Sequence, residues 1–172
     1  NIVAVARRQE RLEALAKDLA GTTDVAIVAG DVTDPALPEQ AVKTAMETFG
    51  RLDCLVNNAG SGKWAPVQDT DDANLDEVID TSLKAPFRFA RAALGAMESG
   101  SSIINIGSVF GVVSGMAGGA YSTVKAVLLG LTQALAADYG VKGIRTNLVA
   151  PGVIRTDMTD AYWESDYFQR TN

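Results

Sequence analysis

Residues 102–125, SIINIGSVFGVVSGMAGGAYSTVK, carry a short apolar run into an amphipathic helix, and their reading decides the fold. Ser102 to Ile106 is expected to be a buried strand, with Ser108 just past its carboxyl end. The helix is expected from Ala120 to Tyr139, with Val124, Val127, Leu128, Leu131 and Leu135 inward and Gly140 as its stop. Ile144 to Val149 then reads as the next strand, and such a strand–helix–strand unit builds a parallel sheet. Within it Tyr121 and Lys125 stand one helical turn apart on one face. A lysine charge at that spacing favours the phenolate and lowers a tyrosine pKa from its ordinary value of about 10. Ser108 adds a hydroxyl that can hold a carbonyl or alcohol oxygen. The trio is suited to proton transfer rather than nucleophilic attack.

The pattern extends towards the amino end. Ile2 to Ala6 and Val25 to Ala29 read as strands, and Leu52 to Val56 as a third that runs into Asn57-Asn58-Ala59-Gly60. Arg8 to Ala20 reads as a helix with Leu12, Leu15, Ala16 and Leu19 on one face and Gly21 as its stop. A second helix ends at Phe49, with Ala41, Val42, Ala45, Met46 and Phe49 inward. Pro35 and Pro38 are tolerable near its start, where the first N–H groups are unbonded anyway. Leu75 to Glu98 reads as one long helix, or two meeting near Pro86. Strands alternating with helices predict an α/β fold with a doubly wound parallel sheet, one domain spanning 1–172. The unusual polar clusters, Arg7-Arg8, Asp31-Val32, Asn57 to Gly60, Gly107-Ser108 and Pro151 to Thr156, all fall at carboxyl ends of strands. Ligands bind along that edge in open α/β sheets, and a row of clusters suits something as long as a dinucleotide.

Composition narrows the classes. The 172 residues carry a net charge of −6, which gives no electrostatic footprint for nucleic acid or an anionic membrane. No apolar stretch approaches the roughly 18 residues of a membrane helix. The lone Cys54 cannot form an internal disulfide, so a reducing, cytoplasmic setting is expected. Histidine is absent, which removes Ser-His-Asp and Cys-His catalysis and histidine-based metal sites. The chain opens at Asn1 inside a strand and stops after a polar and aromatic segment, so it reads as an excerpt of a longer protein.

Taken together, DVTD at 31–34, NNAG at 57–60, IINIGS at 103–108, YSTVK at 121–125 and PGVIRT at 151–156 resemble the short-chain dehydrogenase/reductases in order and spacing. The resemblance implies an NAD(P)-dependent oxidoreductase of Rossmann-like fold, truncated at both ends, acting on a carbonyl or alcohol. By resemblance, Tyr121 is the acid/base, Lys125 tunes it and bonds the nicotinamide ribose, and Ser108 orients the substrate oxygen. Asp31 and the Val32 backbone resemble the adenine site. Asn58, Ala59 and Gly60 resemble the turn along the cofactor, and Pro151, Gly152, Ile154 and Thr156 the loop closing on the carboxamide. The family's glycine-rich pyrophosphate turn and first strand are not in this sequence. That strand lies at the sheet centre, so a gap is expected between the first two strands and the last three. Ser82 stands where the family commonly has an asparagine that helps hold a water against the lysine.

Cofactor choice turns on Ala6-Arg7-Arg8. An acid there would grip a ribose 2′-hydroxyl, whereas Arg7 can bind a 2′-phosphate, so NADP is expected ahead of NAD. Candidate substrate walls are Ser61 to Val67, Val112 to Gly119, and Thr159 to Phe168 with Tyr162, Trp163, Tyr167 and Phe168. Ala90, Ala92, Ala93, Ala96, Ala126, Gly130, Ala134 and Ala137 lie beyond one narrow stripe on their helices. They point to a homodimer or homotetramer. A methyltransferase shares the layered fold but leaves Tyr121, Lys125 and Ser108 unexplained. A nucleotide-sensing protein in which Ser82 marks decayed catalysis is the non-enzymatic alternative.

Overall fold

A computed structural model describes residues 1–115, 117–156 and 159–163. Five strands alternate with helices: β1 (Ile2–Ala6), β2 (Val25–Ala29), β3 (Cys54–Asn57), β4 (Ser102–Ile106) and β5 (Arg145–Val149). The helices are α1 (Gln9–Asp18), α2 (Leu37–Phe49), α3 (Asp72–Ile79), α4 (Ala85–Leu94), α5 (Gly119–Tyr139) and the short α6 (Asp160–Trp163). Every strand pair is parallel, in the order β1–β2 and, separately, β3–β4–β5. The expected gap is therefore present. Val3 and Val5 of β1, Leu55 and Val56 of β3 and Phe89 of α4 line a cavity of about 1160 Å³ between the two sheets.

Local chemistry sets the helix ends. Pro38 sits in the first turn of α2, and Gly50 ends it at φ 73° with its N–H bonded to Met46 O. Asp71 caps α3, its carboxylate accepting the N–H of Asn74 at 2.7 Å. Between α3 and α4 the chain winds as a π-turn over Asp80–Lys84. Pro86 follows directly and cannot donate a helical hydrogen bond, so the ladder must rearrange around it. The long helix expected from Leu75 is thus one helical path with a changed pitch, starting three residues earlier.

The main core joins Ala90, Ala93 and Met97 to Ile103 of β4, Leu135 of α5 and Ile144. Ile103 and Ala93 are fully buried, and burying a side chain the size of Ile103 contributes about 1.5–3 kcal/mol. A second cluster holds Val28, Leu37, Ala41 and Phe89 against Val3, Val5 and Leu55. Several expected faces are corrected. Leu15 is 40% exposed, Met46 38% and Val127 45%. All flank a buried neighbour, since a helical stripe is broader than the layer that covers it. Conversely Ala90, Ala92 and Ala93, expected on a partner surface, lie inside the chain's own core, where small side chains let α4 approach. Ala126, Gly130, Ala134 and Ala137 do stand exposed on α5.

Candidate active site

The candidate reacting groups Ser108, Tyr121 and Lys125 converge where β4 ends and α5 begins. Lys125 is buried on α5, and its Nζ donates to Ile106 O, the last residue of β4, at 2.9 Å. Burial holds the ammonium's pKa below the ordinary lysine value, because the charged form loses its water. The same Nζ lies 5.7 Å from the centroid of the Tyr121 ring. The one-turn spacing therefore brings phenol and ammonium together as expected.

Ser108 is buried and caps the short 3-10 turn Val109–Gly111. Its Oγ accepts the N–H of Phe110 at 3.2 Å, which leaves the hydroxyl proton free to donate elsewhere. That turn lies directly on α5. A Cβ built on Gly111 would stand 2.7 Å from the backbone carbonyl of Lys125, so only glycine allows the approach. Strand β4 and helix α5 thus fix Ser108 and Lys125 through one shared contact.

Ser82 belongs to the π-turn, and its Oγ is buried without a hydrogen-bond partner among the described residues. A Cβ on Gly60 would lie 3.6 Å from Lys125 Nζ and 3.9 Å from Ser82 Oγ. Gly60 therefore keeps the approach to both polar atoms open. A turn lacking a side chain beside a buried amine and an unpaired hydroxyl suits a cofactor rich in hydroxyls.

The cavity between the sheets gathers Arg7, Asp31, Val32, Asn58, Ala59 and Gly60. Asp31 Oδ1 accepts both the N–H of Thr33 at 3.0 Å and its hydroxyl at 2.9 Å. The backbone bond chiefly holds the carboxyl below the usual carboxylate range, the hydroxyl adds to it, and the charge of Arg7 pulls the same way against burial. Arg88 steadies this turn by donating to Thr33 O at 2.9 Å. The set offers an acceptor, a cation and open backbone, which fits a nucleotide. Pro151 is tied to the Ser108 turn through its carbonyl, which accepts from Val109 N–H at 2.9 Å. Gly152, Ile154 and Thr156 are not brought to the cavity. Their contacts are local, Thr159 Oγ1 donating to Ile154 O at 2.7 Å and accepting from Thr156 N–H at 2.9 Å. The side chains of Tyr162, Tyr167 and Phe168 lie outside the described residues.

Two features were not foreseen. Asn57 Nδ2 donates to Asn105 Oδ1 at 2.8 Å, and Asn105 Nδ2 to Thr132 Oγ1 at 3.0 Å, in a buried chain linking β3, β4 and α5. Trp64 packs on Tyr121 with ring centroids 5.2 Å apart, and on the edge of Phe110 at 5.1 Å. Residue types hinted at both, asparagine inside an apolar strand and tryptophan in a polar loop. Their partners are remote in sequence.

The profile of the short chain dehydrogenase family matches residues 1–166. The chain belongs to that family. It is 38% identical over 159 residues to an uncharacterized oxidoreductase of Thermotoga maritima, covering 91% of this chain and 61% of the relative. It is likewise 38% identical over 163 residues to an A-factor type gamma-butyrolactone 1'-reductase of Streptomyces virginiae, covering 91% and 63%. A Burkholderia cenocepacia short chain dehydrogenase solved in complex with NADP superposes with a TM-score of 0.90 at 30% identity, over 99% of this chain and 71% of that one. The short-chain chain thus spans about three fifths of the length of these curated relatives and shares the Rossmann-like α/β fold of the solved structure.

Proposed function

We propose that this chain carries the reacting centre of an NADP(H)-dependent oxidoreductase that interconverts a carbonyl and an alcohol. The observation that carries the reading is the buried Lys125 amine, anchored on Ile106 O beside the Tyr121 ring and against the Ser108 turn. When bound, the nicotinamide supplies or takes up the hydride at the substrate carbon. Tyr121 gives or removes the proton at the substrate oxygen. Ser108 donates a hydrogen bond from its free hydroxyl to that same oxygen, keeps its own proton and fixes the oxygen's position. The Lys125 ammonium stabilises negative charge developing on the phenol oxygen and would bond the cofactor ribose, with Gly60 leaving the approach to its Nζ open. Ser82 holds a water that passes protons between Lys125 and solvent. Asp31 and Val32 would hold the adenine, Asn58 to Gly60 the length of the nucleotide and Arg7 the 2′-phosphate, all four groups lining the cavity, whereas Pro151, Gly152, Ile154 and Thr156 would reach the carboxamide only by moving towards it.

Support comes from family membership, from the reductase named among the relatives and from a solved neighbour in complex with NADP. The reading includes a homodimer or homotetramer through the outer face of α5, where Val127 and Leu129 are exposed beside small residues, and a cytoplasmic location. Tyr121→Phe in the full-length protein tests it. Turnover on a ketone panel should fall by about 10²-fold or more, with NADPH affinity little changed. Turnover near the parent level sinks the assignment of Tyr121. NADPH binding by a parent that turns over no carbonyl or alcohol favours the sensing alternative.

A further inference from the structure

The loop between β3 and α3 holds an indole against the reacting tyrosine with more fixation than a surface loop needs. Just before Trp64, buried Asn74 grips both backbone groups of Lys63. Its Oδ1 accepts the Lys63 N–H at 3.0 Å and its Nδ2 donates to Lys63 O at 3.3 Å. Just after Trp64, Ala65 O accepts the Gly119 N–H at 3.3 Å, in a parallel bridge to the start of α5. Gly62 turns the loop at φ 136°, and a Cβ there would strike Val78 at 2.8 Å and approach Tyr121 Cδ2 at 3.7 Å. The backbone that carries the indole is therefore held on both sides, and the indole lies tilted 39° to the phenol ring.

Phe110 completes the corner. Its N–H is bonded to Ser108 Oγ, so its ring is tied to the hydroxyl assigned to the substrate oxygen. One side of that ring is blocked by Gly115, where a Cβ would fall 2.6 Å from Phe110 Cε1, and Trp64 meets it at an interplanar angle of 81°. The neighbours are apolar and exposed: Val67 follows Trp64, and Val112 and Val113 follow Phe110. A carbonyl oxygen held by Ser108 and Tyr121 would lie beside this corner, since Phe110 N–H is bonded to Ser108 Oγ and Trp64 packs on the Tyr121 ring. We propose that Trp64 and Phe110 form a rigid aromatic wall that selects carbonyl substrates with a flat, uncharged aromatic substituent beside the carbonyl carbon. Pre-set aromatic faces gain stacking energy from such a group without ordering a flexible chain, whereas an alkyl chain must be ordered to match them. The proposal rests on the oxidoreductase reading above.

The test uses full-length protein with NADPH and two methyl ketones of equal carbon count, acetophenone and 2-octanone. The parent should favour acetophenone by about tenfold in kcat/KM, the scale of one good aromatic contact. Trp64→Leu should erase that preference, mainly by raising KM for acetophenone. Trp64→Phe should restore most of it. A preference ratio unchanged by Trp64→Leu overturns the proposal. So does an equal loss of kcat on both ketones, which would assign the indole to holding the Tyr121 ring. Turnover on other carbonyls with neither of these ketones reduced overturns the wall alone. Loss of turnover on every carbonyl tried overturns the oxidoreductase reading and the wall with it.

Discussion

The β3–β4–β5 side and the β1–β2 side share one parallel strand–helix plan, yet their interiors differ. On the first, a central strand lies between two others, and α4 and α5 meet over a fully buried Ile103. Asn57, Asn105 and Thr132 pair inside it, in a chain that runs on to Leu128 O at 2.8 Å, while Thr146 Oγ1 and Ser122 Oγ are buried without a partner among the described residues. The second side is a two-stranded ribbon. Its helix α1 buries Leu12 and leaves Leu15 exposed. The proposed proton-moving groups Ser108, Tyr121 and Lys125 sit on the closed side, and Arg7 and Asp31, proposed for the nucleotide, on the ribbon. On that proposal, positional accuracy resides where the chemistry needs it, and nucleotide selection falls to charges that act with looser geometry.

The sharpest challenge to this contrast is Asn105→Leu. It strips Asn57 Nδ2 of its buried acceptor and should cost about 1–3 kcal/mol in denaturant unfolding of the full-length protein. A cost near zero would mean the closed side does not depend on its polar chain. On the ribbon, Arg7→Asp should leave stability close to the parent and shift the NADPH-to-NADH ratio of kcat/KM towards NADH by about tenfold or more, since an attraction becomes a repulsion. An unmoved ratio removes Arg7 from cofactor choice.

Alkaline titration probes the closed side again. Burial lowers the folded-state pKa of Lys125, so between that value and the unfolded one the unfolded chain binds the extra proton. Stability should therefore rise with pH across that window, and below it the burial penalty is felt in full. Lys125→Met should flatten this alkaline rise when unfolding is followed at increasing pH. A steeper rise in the variant contradicts the buried-ammonium picture. The smallest effect belongs to Leu15→Ser on the ribbon helix, expected within about 0.5 kcal/mol of the parent. A loss near that of a core leucine would mean the exposed face is covered in solution.

Much of this was legible because it is local. The strands over Ile2–Ala6, Val25–Ala29 and Ser102–Ile106 stand where apolar runs placed them, and Tyr121 and Lys125 share a face by helix geometry alone. What escaped depends on distant partners. The β3 strand starts at Cys54 rather than Leu52, because pairing with Ser102 sets its first rung. Met46 and Val127 looked inward by periodicity, but only the neighbouring layer decides how wide a stripe is covered. The π-turn before Pro86, the Asn57–Asn105–Thr132 chain and the Trp64 corner all join residues through space. Pro86 signalled a disturbance without saying that the winding would change ahead of it.

The wholly parallel pairing also bears on how fast this chain can reach its native state. Among the described residues no two hydrogen-bonded strands are joined by a tight hairpin. Ile2 meets Val25, Cys54 meets Ser102 and Ser102 meets Arg145, so every rung closes a loop of more than twenty residues. Loop-closure entropy has to be met before such rungs return any energy, which slows folding relative to hairpin or bundle topologies. The ribbon, with the shortest crossover, can zip first. The β3–β4–β5 sheet waits for two long crossovers, so its strand edges spend the most time open to wrong partners.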